Sequence, residues 1–139
     1  MLFAGLCAVA LAALAGIAFG LRYLLTPTFL AYHEKVLRRP WHEVEPRLQV
    51  LFLASLKVAG GGFMGYGIAM LWLLVPLSRG QAWASWAALT MSVVAVSPVL
   101  YVVLWVRRVE PEAKPPVFAP IAVLALAMVG SMLCLVDLR

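Results

Sequence analysis

The sequence predicts an all-α membrane protein with four transmembrane helices in a bundle and a short amphipathic interfacial helix between helices one and two. Composition is the first observation: of 139 residues, 65% are hydrophobic and 12% are charged, with a mean hydropathy of +0.99. A water-soluble domain is about 45–50% apolar and about 25% charged. The second observation is that the charges fall between long apolar stretches. A bilayer must therefore be the solvent for most of the chain.

Four uncharged or nearly uncharged stretches define the spanning helices. Residues 1–21, 80–106 and 115–136 carry no charge, and residues 48–78 carry only Lys57. A spanning helix needs about 20 mostly apolar residues, and these stretches are continuous, without the period-two alternation of barrel strands. The chain is predicted to be one transmembrane domain over residues 1–139. Its predicted helices cover residues 2–25, 48–76, 82–106 and 117–136, and the first connection covers residues 26–47.

Lysine and arginine predict the orientation. The first connection region contains Arg22, Lys35, Arg38, Arg39 and Arg47. The third contains Arg107, Arg108 and Lys114, whereas the second has only Arg79. The positive-inside rule therefore places the first and third connections in the cytoplasm and both termini on the other side. These basic residues flank helices, so no nucleic-acid partner is expected.

The first connection, "TPTFLAYHEKVLRRPWHEVEPRLQ", contains a short amphipathic pattern. Apolar residues recur between Phe29 and Leu37, and basic residues occupy the other side. Such a segment suits the membrane interface near anionic headgroups, which makes an anionic lipid one expected contact. A surface linker that pins two helices is the simpler interpretation. The predicted interfacial residues are Tyr32, His33, Arg38, Arg39 and Trp41.

The stretch "KVAGGGFMGYG" contains a formal match to the G-x-G-x-x-G fingerprint of dinucleotide-binding loops. That fingerprint requires a preceding strand, a turn and a later acidic residue, and here it lies inside an apolar run without that acid. Close helix packing is the better interpretation, because small residues let helix backbones approach each other in lipid. Gly61 and Gly65 form a GxxxG pair, and Gly60 and Gly67 lie on an adjacent stripe. Their partner is a helix of this chain or of another subunit.

Lys57 shares a helical face with Gly61 and Gly65, at steps of four residues. One interpretation is a lysine whose stem snorkels to the interface. The other is a buried cation that faces a lipid headgroup, an anionic ligand or a partner's carboxylate. Pro98 predicts a kink in helix three. A speculative cleft for a lipid or quinone would use Lys57, Gly61, Gly65, Ser97 and Tyr101.

Catalytic, metal and cofactor sites are not predicted. His33 and His42 are the only histidines, and both lie outside the spans, whereas a haem between spanning helices needs ligands within them. Neither these histidines nor the neighbouring glutamates match a known metal-ligand spacing. A membrane-face enzyme that uses His33 and Glu34 is the weakest hypothesis. Cys7 and Cys134 have matching depths, so they are either a disulfide or two small apolar residues.

The segments "YHEKVLRRPWHEVEPRLQ" and "LKVAGGGFMGYGIAMLWLLVPL" resemble those of small four-helix bacterial inner-membrane proteins. The resemblance covers most of the chain, and it rests on Tyr32, His33, Trp41, Pro46, Gln49 and the glycine run. It implies a bacterial inner membrane with periplasmic termini, and it implies no activity. We therefore expect a non-enzymatic integral membrane protein without a cofactor. It would act by helix packing, as a homo-oligomer or as an accessory subunit of a larger complex. The alternative is a small binder or transporter of a hydrophobic ligand.

Overall fold

The computed structural model describes residues 1–137 and confirms the predicted fold class. This part of the chain is 85% helix and contains no strand. Four of the helices, α1, α3, α4 and α5, are long and apolar enough to cross a membrane. The helices are α1 (Leu2–Leu25), α2 (Ala31–Leu37), α3 (Pro46–Ser78), α4 (Ala82–Val109) and α5 (Phe118–Val136). Single 3-10 turns occur at Trp41–Glu43 and Pro111–Ala113.

The two middle spanning helices extend beyond their apolar stretches. α3 begins at Pro46, where the missing N–H of proline costs no helical hydrogen bond. α4 continues through Arg107 and Arg108 to Val109, and these cations lie at the negative end of its helix dipole. Hydropathy marks the membrane core, whereas these helices continue into the interface. This explains why both are longer than the sequence prediction.

The spanning helices form a ring in the order α1, α3, α4, α5. The α1–α3 contact is the most extensive and the α3–α4 contact is the least extensive, although α3 and α4 are consecutive. Arg38 after α2 donates a hydrogen bond to Glu110 after α4, at 2.9 Å between Nη2 and Oε2. The first and third connections therefore meet at one end of the bundle, which we call the basic end.

A tight turn joins α3 to α4 at the opposite end. The N–H of Gly80 donates to the Leu77 carbonyl, and the N–H of Gln81 donates to the Pro76 carbonyl, both at 3.0 Å. This is the Schellman arrangement, which requires a left-handed residue after the helix. Gly80 has φ 69°, which glycine adopts without a steric penalty. The two long helices can therefore reverse direction within three residues.

The interior of the bundle is built from small side chains. The buried positions include Ala12 and Ala13 of α1, Ala84 and Ala88 of α4, and Ala127 of α5, each 0% exposed. Met70 and Leu77 of α3 are also buried, but many large apolar side chains point outward; Phe3 and Phe118 are each 82% exposed. Small residues at interfaces and bulky ones outside are typical of helices packed in lipid, where close backbone approach drives association. The burial pattern therefore agrees with the composition.

Ser92 connects α4 to α3 across their thin contact. Ser92 of α4 donates to the Ala88 carbonyl at 2.7 Å, so its oxygen can accept from the Tyr66 hydroxyl of α3 at 2.9 Å. Both side chains are buried. This bond fixes the distance between two helices that otherwise touch little.

Cys7 and Cys134 are both free thiols in this structure. Cys7 is exposed on α1, whereas Cys134 of α5 is buried against α1. A Cβ added at Gly5 would lie 2.7 Å from the Cys134 sulfur, so Cys134 fills the space that this glycine leaves. The two helices do touch, but the thiols point in different directions.

Candidate functional site

Two glycines of α3 form a tight contact with α1, and we call them the occupied glycine face: Gly60 and Gly67. A Cβ added at Gly67 would lie 2.6 Å from the Ala13 carbonyl oxygen. One added at Gly60 would lie 2.9 Å from the Gly20 carbonyl oxygen. Both neighbours are backbone atoms, which cannot move aside like a flexible side chain. Only glycine therefore permits this approach of α1 to α3.

The partner surface on α1 contains glycines that the sequence analysis did not single out. A Cβ at Gly20 would lie 2.7 Å from the Met64 nitrogen, and one at Gly16 would lie 2.9 Å from the Tyr66 ring. Gly16 and Gly20 are four residues apart, which is the same GxxxG spacing as in α3. That spacing is the feature of the sequence that predicts this contact surface on α1. The α1–α3 contact is thus a glycine surface on both sides.

Three further glycines of α3 form a second surface, which we call the open glycine face: Gly61, Gly62 and Gly65. A Cβ added at any of them would meet no atom within 4 Å. All three residues are exposed. The predicted GxxxG pair thus lies away from the other helices of this chain. Its contact with a second chain stays a prediction.

Lys57 caps the end of α1. Its Nζ donates to the Thr26 carbonyl at 2.6 Å and to the Tyr23 carbonyl at 3.4 Å, and it also contacts the Leu24 carbonyl. The last carbonyls of a helix have no partner within the helix and carry partial negative charge. All three donors of the ammonium are therefore used at the C-terminal end of α1, on Tyr23, Leu24 and the C-cap residue Thr26. The structure places this lysine at the α1 contact, one turn before Gly60, and not on the open glycine face.

Tyr32 of the interfacial helix α2 contacts the end of α1. Its hydroxyl lies 3.2 Å from the hydroxyl of Tyr23, and the two form a hydrogen bond. Burial is the main cause that raises the pKa of Tyr32, and the hydrogen bond to Tyr23 adds to it. Tyr32 therefore stays neutral at physiological pH and keeps its hydroxyl proton.

His33 acts as a local cap. The Leu30 N–H, at the start of α2, donates to its Nδ1 at 3.3 Å. Burial lowers the pKa of His33. A neutral imidazole can accept this bond, whereas an imidazolium cannot. The predicted interface histidine thus stabilises the first turn of α2.

The rest of the first connection is held by aromatic contacts and by bonds to backbone groups. The ring of Phe29 lies 4.3 Å from that of Trp41 and 5.1 Å from that of Phe52, between centroids. Gln49 donates to the Trp41 carbonyl at 2.8 Å, and the Trp41 N–H donates to Glu34 at 3.3 Å. The polar residues that were candidates for a catalytic site therefore form hydrogen bonds with backbone groups of an irregular segment.

The remaining predicted site residues are dispersed. Ser97 and Tyr101 lie exposed on α4, Tyr101 at 70%, whereas Lys57 is bonded to α1. Arg38 reaches Glu110, and Arg39 is exposed. The structure therefore assembles the interfacial set at the basic end, but it does not gather Ser97 and Tyr101 around Lys57.

Within residues 1–137, no group of three or more His, Cys, Asp or Glu side chains is arranged to hold a metal ion. His33 and Glu34 instead make the backbone bonds described above. Comparison with known proteins adds no functional information: the chain matches no protein-family profile, no curated protein and no solved structure.

Proposed function

We propose that this integral membrane protein acts by packing against a helix of a second membrane-embedded chain through the open glycine face. The observation that carries the proposal is that Gly61, Gly62 and Gly65 face no atom of their own chain. On the same helix, Gly60 and Gly67 show what such glycines permit, since each touches the backbone of α1. The second chain is another copy of this protein or a subunit of a larger complex.

The physics of helix association in lipid supports this function. Apolar side chains gain little by leaving lipid tails for one another, so helices associate where their backbones come close. Glycine in a helix interior is about 0.5–1 kcal/mol less favourable than alanine. Three exposed glycines in one segment therefore weaken α3 unless close contact offsets the cost. Val58, 78% exposed, and Ile68, 45% exposed, precede and follow the three glycines on α3 and extend its outward apolar surface.

Replacement of Gly61 and Gly65 by leucine tests the proposal. The double variant should lose its association with the second chain after extraction in mild detergent, while the monomer stays folded because the sites are open. Ala18→Leu on α1 is the matched control, because Ala18 is exposed on another helix. Size measurement separates self-association from a complex with a different protein. A wild-type chain that is monomeric and without a companion contradicts the proposal.

The alternative function, a binder of a lipid or quinone at Lys57 and the glycine face, has less geometric support. The ammonium donors of Lys57 are already used by two carbonyls of α1 and by that of its C-cap residue, Thr26. Ser97 and Tyr101 are exposed on α4 and complete no cleft with Lys57. Lipid analysis of the Lys57→Met variant tests this alternative, because unchanged bound species would argue against it.

We also propose that the basic end faces the cytoplasm of a bacterial inner membrane. The support is the positive-inside rule applied to the two basic connections, which meet at one end of the bundle. In a Cys7→Ala, Cys134→Ala background, cysteine placed at Arg39 should be protected from a membrane-impermeant thiol reagent in whole cells. Cysteine placed at Gln81 should react. The opposite pattern would reverse the orientation.

A further inference from the structure

A cleft opens between the spanning helices in the half of the bundle nearer the basic end. Its apolar part, about 70 Å³, is lined by Phe19 of α1, Phe63 of α3, Val99 and Val103 of α4, and Ala119 and Val123 of α5. A second cavity of about 390 Å³ adjoins it toward the connections. The two share Phe19, Tyr23, Tyr32 and Pro116. We call the first the cleft and the second its mouth.

The cleft follows from the uneven packing of the ring. α4 contacts α3 least, and the Tyr66–Ser92 bond holds the two helices together near mid-span. Pro98 lies within α4, between the Tyr66–Ser92 bond and the basic end. Val99 and Val103, which follow it, line the cleft. A proline in a helix interior removes a backbone hydrogen bond and allows a bend. The space is therefore built by named features of α4.

The cleft interior offers almost no polar contact. The hydroxyls of Tyr23 and Tyr32 bond to each other, and that of Tyr66 bonds to Ser92. No charged residue lines the cleft. A water needs about 10–15 Å³ and two to four polar partners, so the space is large enough for water but poor in partners for it. An apolar chain suits it better.

The mouth has the opposite character. Arg22, Lys35 and Lys114 line it, and no acidic residue does. Within residues 1–137, none of these three cations forms an ion pair. Two acids at this end have partners elsewhere: Glu110 pairs with Arg38, and Glu34 accepts from the Trp41 N–H. The next surface groove contains Glu110 and Glu112 but also Lys35 and Arg38, so it does not cancel the charge of the mouth.

We propose that the cleft and its mouth bind one anionic phospholipid, with a short segment of an acyl chain in the cleft and the headgroup among Arg22, Lys35 and Lys114. The mouth lies where α1 ends at Leu25 and α5 begins at Phe118, and lipid headgroups surround the ends of spanning helices. A free phosphate would use only the cations and leave the apolar cleft empty. A neutral lipid would leave the cations unpaired. The proposal is independent of the open glycine face, which belongs to α3 alone.

Native mass spectrometry of the purified full chain tests the headgroup part. Phosphatidylglycerol and phosphatidylcholine with identical acyl chains are added in turn, and glycerol 3-phosphate serves as the headgroup without chains. We expect at least about tenfold tighter binding of phosphatidylglycerol, since each basic residue near an anionic surface contributes about 1 kcal/mol. Glycerol 3-phosphate should not bind. Equal binding of the two lipids, or binding of glycerol 3-phosphate alone, overturns the proposal.

Charge-matched variants locate the site. R22Q/K35Q/K114Q should abolish the preference for phosphatidylglycerol. R39Q/R107Q/R108Q removes the same amount of charge from residues that do not line the mouth. This variant should keep the preference for phosphatidylglycerol. Val99→Phe fills the cleft and should weaken binding, whereas Val94→Phe, at a position 67% exposed on α4, should not. Equal losses in both triple variants, or no effect of Val99→Phe, would contradict the proposal.

A measurement on the wild-type chain keeps the proposal testable if a variant fails to fold. Phosphatidylglycerol with a photoreactive group in its acyl chain is crosslinked in vesicles, and the modified residues are mapped. We expect modification concentrated at cleft residues such as Phe19, Val103 and Val123. Modification spread evenly over the outward side chains, without enrichment in the cleft, overturns it.

Discussion

The two glycine faces of α3 are neighbours in sequence and opposite in environment. Gly60 and Gly67 lie against the backbone of α1, whereas Gly61 and Gly65 have no atom of the chain within reach of an added Cβ. One step along a helix rotates a residue by about 100°, which is enough to turn it from one surface to another. The same residue type therefore has two different roles, and the difference is decided by where α1 lies.

Double replacement at the occupied face should have the largest effect. Gly60→Ala with Gly67→Ala places two methyl groups within 3 Å of α1 backbone atoms. Overpacking costs about 1–3 kcal/mol per site, and sites about 10 Å apart are nearly additive, so the free energy of unfolding should fall by about 2–6 kcal/mol. Unfolding in mixed detergent and dodecyl sulfate measures it. No loss of stability would mean that α1 and α3 do not pack as described.

Loss of the α1 cap should have the next largest effect. Lys57→Met leaves the carbonyls of Tyr23, Leu24 and Thr26 without this donor, which should lower the free energy of unfolding by about 1–3 kcal/mol. Lys35→Met is the control, because Lys35 is exposed and forms no ion pair within residues 1–137. Equal responses in the two variants would show that Lys57 is a surface lysine without a capping role.

Alanine at the open face should change stability in the other direction. Gly61→Ala and Gly65→Ala meet no atom, so each should raise the free energy of unfolding of the isolated monomer by about 0.5–1 kcal/mol. The same unfolding assay, run at a concentration where only monomer is present, checks the sign. A loss of stability here that resembles Gly67→Ala would erase the distinction between the two faces.

Acidification should change the stability of the chain least, and it involves neither glycine face. Burial lowers the pKa of His33 in the folded state, so the unfolded state binds the extra proton. The contribution of His33 is complete above about pH 6.5, the ordinary histidine pKa, and is lost as the pH falls through the lower folded value. The protection factors of residues 30–37, which correct hydrogen exchange for its slower intrinsic rate at low pH, should therefore fall at pH 5 relative to pH 7.5. His33→Asn should remove this dependence, and its persistence would assign the effect to another group.

The sequence was sufficient for the fold class and for the short helix between the first two spans. Continuous apolar stretches of about 20 residues predict helices that span a bilayer, so the four spanning helices follow from hydropathy. The rotation of α3 about its own axis does not follow from hydropathy. Glycines occupy two stripes of α3, and only the contact with α1 distinguishes them. The Gly16–Gly20 spacing predicts a close contact on α1, but it does not predict which stripe of α3 meets it.

Side-chain roles in the first connection were also beyond the sequence. His33, Glu34 and Gln49 have the residue types of catalytic or ligand sites, yet they bond to backbone groups of their own segment. An irregular segment leaves many N–H and C=O groups without helical partners, and polar side chains satisfy them. Residue type alone does not separate these roles. Similarly, the cleft depends on the divergence of α4 from α3, which no local pattern encodes.

The most direct test of the open glycine face is site-specific photo-crosslinking in native membranes. A photoreactive amino acid is placed at Gly62, and the control position is Ala18, which is exposed on α1. We predict a protein adduct of defined mass at position 62, of twice the chain mass for a homo-oligomer or a different mass for another subunit, and only lipid adducts at position 18. Lipid adducts alone at both positions would contradict the account.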